Sequence, residues 1–107
     1  MEKVKVKIYK PEIGKVKPLA RSTQLQFENM LLKNAGGYTK HDSKLGVWLD
    51  AEGNKVYDRV YVYEMIVDNN PSIIANLRAQ ALVIKQEMQQ DCVLFTIEPM
   101  LEVEFVE

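Results

Sequence analysis

The stretch from Gly46 to Val67 limits what this chain can fold into more than any other. Gly46-Val47-Trp48-Leu49 is a short apolar run, a polar turn follows centred on Gly53-Asn54, and a long Tyr- and Val-rich segment runs on to Val67. Two β-prone runs joined by a glycine-containing turn predict a β-hairpin, because Gly and Asn accept the left-handed backbone of tight turns. In the second arm Val60, Val62 and Ile66 share one face, while Tyr61, Tyr63, Met65 and Val67 share the other. Apolar residues on both faces predict a central strand, or one covered by a second subunit.

The flanking segments fall into a simple order. Residues 3–9 alternate strictly, with Val4, Val6 and Ile8 on one side and Lys3, Lys5 and Lys7 on the other. That pattern is a half-buried strand with one wet face. Two prolines and Gly14 mark residues 10–18 as a loop. Thr23 and Gln26 have capping-box spacing, Phe27, Met30 and Leu31 recur at helical intervals, and Gly36-Gly37 ends the run. These signals predict a helix over 23–35. Residues 38–45 read equally as the start of a strand or as a loop.

Beyond the hairpin, Asn70 followed by Pro71 opens a second helix, with Ile73, Leu77, Ala81, Ile84 and Met88 as its apolar stripe. Residues 92–97 read as another strand, in which Val93, Phe95 and Ile97 face together. After Pro99, Leu101, Val103 and Phe105 alternate with Met100, Glu102 and Glu104, as in a strand extending the C-terminus. The order predicts a single α+β domain over residues 1–107. It is the ferredoxin-like βαββαβ arrangement, an antiparallel sheet with two helices on one face.

The formal net charge of −1 conceals an asymmetry. Lys3, Lys5, Lys7, Lys10, Lys15, Lys17 and Arg21 crowd the first fifth of the chain, and the last fifth carries six acids and no Lys or Arg. In the predicted topology the first and last strands are neighbours, so a lysine row would face a glutamate row. Such cross-strand pairs contribute roughly 0.2–1 kcal/mol each. The lone Cys92, with no second cysteine to pair with, reads as a buried thiol packed as a small hydrophobe. No apolar run approaches a membrane span, the start lacks a secretory signal's apolar stretch, and a cytoplasmic location is expected.

Chemistry-bearing patterns are sparse. His41-Asp42-Ser43 has the residue types of a nucleophilic triad, but adjacent residues do not normally converge as a triad does. No catalytic residue, metal site or cofactor is expected: Asp50, Glu52 and Asp58 lack calcium-loop spacing, and the glycines make no phosphate-binding fingerprint. The basic loop offers more. Lys10, Lys15, Lys17 and Arg21 lie around the first strand–helix connection, close to the start of the first helix, and Tyr38, Trp48, Tyr57 and Tyr61 supply faces on which a base could stack. No basic helix suits duplex nucleic acid.

Gly36-Gly37-Tyr38-Thr39 together with the run Gly46 to Val56 resembles a pattern in small bacterial and phage proteins of unassigned function, over roughly residues 36–68. The resemblance implies a similar ferredoxin-like domain and carries no catalytic residues. The expectation is a non-enzymatic module that self-associates as a homo-oligomer and engages a protein partner, with phage derivation as one option and Tyr61, Tyr63 and Met65 at the interface. One alternative is a sensor or sequestering protein for an anionic, nucleotide-like ligand. Another is a small dimeric enzyme using His41 or an acidic residue in a pocket.

Overall fold

The computed structural model describes residues 2–12 and 17–107. The elements run β1 (Lys3–Pro11), α1 (Arg21–Ala35), β2 (Thr39–Leu49), β3 (Lys55–Asp68), α2 (Pro71–Glu87) and β4 (Phe95–Pro99). The sheet has the order β2-β3-β1-β4 with every pair antiparallel, which is the ferredoxin-like topology the element order predicts.

Side-chain alternation sorts the residues between two faces. Val4, Val6 and Ile8 of β1 and Tyr63, Met65 and Val67 of β3 point to the same side, where they meet Phe27 and Leu31 of α1 and Leu77, Ala81 and Ile84 of α2. Both helices therefore cover one face and leave the other open. β3 carries apolar residues on both sides because it lies inside the sheet between β1 and β2.

This packing corrects the expected interface. Tyr63 and Met65 are each 1% exposed, sealed beneath the helices, and cannot meet a second subunit. Only Tyr61 stays partly accessible.

The helices differ in how they start. At α2 the Asn70 side chain accepts from the backbone N–H of Ser72 (2.8 Å) and Ile73 (3.3 Å), with Pro71 in the first turn, as predicted. At α1 the Thr23–Gln26 capping box does not form. The chain enters the helix earlier, Gln24 N–H closing the first turn on the Ala20 carbonyl at 2.9 Å, so Thr23 already lies inside. Gly36 ends α1 with φ 77°, the left-handed cap for which glycine is suited.

Residues 39–45, ambiguous by pattern, belong to β2, with a register shift between His41 and Lys44. Its polarity is that of an edge strand, and bulges at edges discourage pairing with another chain. The hairpin turn is held by the Asp50 carboxylate, which accepts from the N–H of Glu52 (2.9 Å) and Asn54 (2.8 Å), while Gly53 takes φ 84°. The Asn54 bond, more than any other, holds the Asp50 carboxyl below its usual range.

The C-terminal strand extension does not form. Pro99 pairs with Val4, one residue from the start of β1, so residues beyond Met100 meet no strand to join. Leu101, Phe105 and Val106 are left exposed. The lysine row consequently finds most of its acids on β3. Lys3 pairs with Asp68 at 2.6 Å, and Lys5 and Lys7 each lie 4.0 Å from Glu64. Only Glu98 of the C-terminal acids stands opposite a lysine, Lys5, in the sheet register. Cys92 is exposed rather than buried, because β4 begins only at Phe95 and leaves it in the preceding loop.

Candidate functional site

An apolar recess lies on the open face where the hairpin leaves the sheet. It is a cleft of about 310 Å³ walled by Tyr9, Trp48, Val60 and Leu94, with Asp58 and Cys92 at its rim. Apolar and aromatic walls with a few polar groups are the usual make-up of a small-molecule pocket. The register explains who meets there: Tyr9 stands opposite Val62, Gly46 opposite Asp58 and Trp48 opposite Val56, so alternation turns them to one side. The Trp48 indole lies directly over Gly46, in space that a Cβ at that position would occupy.

The residues predicted to bind a ligand are not gathered in this cleft. Lys15 lies outside the described residues, and Lys17 and Arg21 are exposed on the approach to α1 and at its first residue. Tyr38 packs at 5.6 Å against Tyr63 and borders a separate recess of about 350 Å³ with Gly36, Gly37, Glu64 and Phe105. Trp48 is near the far end of β2, roughly 30 Å of strand away. Of Lys17, Arg21, Tyr38 and Trp48, only Trp48 lines the hairpin cleft.

His41, Asp42 and Ser43 do not converge. His41 Nε2 is 3.6 Å from Glu64, while the Ser43 hydroxyl donates to Glu12 at 3.1 Å. No group of three or more metal-ligating side chains occurs among the described residues, and none of their helices is long and apolar enough to cross a membrane.

A second cluster sits on the helix side: Lys10 and Tyr61, expected in the basic loop and among its stacking faces, meet Lys40, and the burial of Lys10 was missed. Lys10 is 7% exposed, the one charged side chain in the described core. Its ammonium lies 5.4 Å from the centre of the Tyr61 ring, and Lys40 approaches that ring to 4.3 Å. Burial pushes the Lys10 amine below its ordinary value, Lys40 pushes the same way, and Glu28 of α1 opposes them. Burial raises the Tyr63 hydroxyl, which accepts from Gln24 Nε2 at 3.1 Å. The signal was present: Lys10 has the same parity as Val4, Val6 and Ile8, so period-two alternation already assigns it to the core face.

No family model and no curated protein sequence matches the chain. Solved structures do. CutA1 from Oryza sativa aligns with a TM-score of 0.63 at 11% identity, covering 97% of this chain and 84% of that one. A phage SAM lyase in complex with S-methyl-5'-thioadenosine gives 0.64 at 13% identity, over 92% and 81% of the two chains. The GlnK–ATP complex of B. subtilis gives 0.56 at 12%, over 92% and 82%. At these identities the likeness is one of architecture: the chain shares with all three a ferredoxin-like α+β fold.

Proposed function

We propose that this chain is a small binding module that assembles with copies of itself through the arm of the β2–β3 hairpin. One observation carries the reading. Leu45, Val47, Leu49 and Tyr57 are 51–70% exposed and stand on one face of the arm, beyond the reach of either helix. Fully burying such a side chain contributes about 1.5–3 kcal/mol, so a surface of four supplies a substantial driving force for association. A protein partner would engage the module through the same arm. Sedimentation at high micromolar concentration tests this. The wild type is expected to sediment as an oligomer, and Val47→Asp with Leu49→Asp as a monomer with an unchanged far-UV spectrum. A monomeric wild type would end the proposal.

A second reading is favoured by the cleft and by what two of the similar structures hold. S-methyl-5'-thioadenosine and ATP share an adenosine moiety, and Tyr9 and Trp48 offer aromatic walls against which a purine can stack. The chain would then sense or sequester an adenosine-containing ligand. Trp48 is the only tryptophan, so its fluorescence reports on the cleft alone. Quenching that saturates with S-methyl-5'-thioadenosine or ATP is expected, and a flat titration to millimolar ligand removes the reading.

A further inference from the structure

The hairpin arm and its cleft leave the Lys10 cluster unused. A buried ammonium is ordinarily paired with a carboxylate, because leaving it alone in a poorly solvated place is costly. Among the described residues neither Lys10 nor Lys40 forms an ion pair with a carboxylate. Glu28 acts on Lys10 only through space. What the Lys10 ammonium does touch is an aromatic face that it shares with Lys40, a second cation. Two like charges held within 5.4 Å of one ring centre repel one another, and the ring's quadrupole offsets this only in part.

The neighbouring groups add to the imbalance. Lys40 also lies 5.8 Å from the Tyr63 ring. Gln24, bonded to the hydroxyl of that tyrosine, keeps its Oε1 buried with no partner. Three strands thus bring together a desolvated amine and an exposed amine beside one ring, while the unpartnered Gln24 Oε1, an acceptor, calls for a donor and adds nothing to the binding of an anion.

We propose that Lys10 and Lys40, beside the Tyr61 ring, form a binding site for a small oxyanion, separate from the hairpin cleft. The anion supplies what the two ammonium groups lack. It accepts hydrogen bonds from both, neutralises the buried charge and removes their mutual repulsion. Lys40 is exposed and Lys10 is buried beside the same ring, so an anion would reach Lys40 from solvent first. The proposal is independent of self-association and of adenosine binding.

Thermal unfolding at constant ionic strength tests it, with sodium phosphate or sodium acetate replacing sodium chloride. If the site binds phosphate with millimolar affinity, about 10 mM phosphate raises the melting temperature by roughly 5 °C over the chloride control. A comparable shift with acetate identifies carboxylates as ligands too, and a shift with phosphate alone restricts the site to phosphate; either result supports an oxyanion site. Lys40→Met abolishes the shift. Lys10→Met also abolishes it, and without phosphate it melts no lower than the wild type, because a buried unpaired charge has gone while the apolar stem remains. Should Lys10→Met fail to fold, Lys40→Met still decides the matter. Equal melting temperatures in phosphate, acetate and chloride overturn the proposal, as does a full phosphate shift in Lys40→Met.

Discussion

Phe27→Ala is expected to lower the unfolding free energy by about 3–5 kcal/mol, the range for emptying a large aromatic site in a packed core. Phe27 is 1% exposed, and its ring meets Tyr63 edge-on at 5.0 Å with the planes at 89°. That geometry adds about 0.5–1.5 kcal/mol to the burial itself. The position matters because α1 buries only Phe27 and Leu31, whereas α2 buries Ile74, Leu77, Ala81 and Ile84. Removing one of two anchors leaves α1 held chiefly by Leu31. Urea unfolding measures the loss through the midpoint at constant slope. Leu25→Ala, on the exposed side of the same helix, should change stability little and serves as the control. A loss below about 1 kcal/mol for Phe27→Ala would mean that Tyr63 and Leu31 close over the gap.

Gly46→Ala is the second large effect, and it acts through Trp48. The added methyl group would occupy the indole's position, so the ring must leave the surface of β2. The indole is already 39% exposed and can swing outward. The cost is therefore the packing it gives up, at or below the low end of the roughly 1–3 kcal/mol seen for overpacked cores. Gly46 needs to be glycine for this close approach, not for its backbone angles. The displaced indole leaves the cleft wall and enters water, so the emission of the single tryptophan should move to longer wavelength and any adenosine-dependent quenching should weaken. Unchanged emission and stability in Gly46→Ala would show that the indole has an equally good alternative position.

Much of the architecture was legible from local patterns, and the errors share a cause. The alternation of Val4, Val6 and Ile8 with lysines identified β1, and Asn70-Pro71 with a four-three stripe identified α2, because those signals depend only on backbone periodicity and on groups a few residues apart. Thr23 failed as a cap because Ser, Thr and Gln spacing permits several starts, and packing selected the one at Arg21. The alternating tail failed as a strand because a strand needs a partner, and β1 starts at Lys3. Among the candidate ligand residues, Tyr38 and Trp48 were grouped by residue type, but β2 carries them to opposite ends of the sheet.

The interface reading shows the same division. Apolar residues on both faces of β3 marked it correctly as a central strand, flanked by β1 and β2 and covered on one face by this chain's own helices. The exposed apolar surface lies instead on the arm, at Leu45, Val47, Leu49 and Tyr57. Likewise the lysine row called for acids, and the pairing of β1 with both β3 and β4 determined that Asp68 and Glu64 answer it while Glu102 and Glu104 remain outside the sheet.

The hairpin from Gly46 to Val67, the order of strands and helices and the face each residue takes were written in the residues themselves, because turn chemistry and side-chain period act over a few positions along the backbone. Which residues became neighbours across the sheet was settled by long-range strand pairing and helix packing. Those contacts sealed Tyr63 and Met65 and desolvated Lys10 beside Lys40.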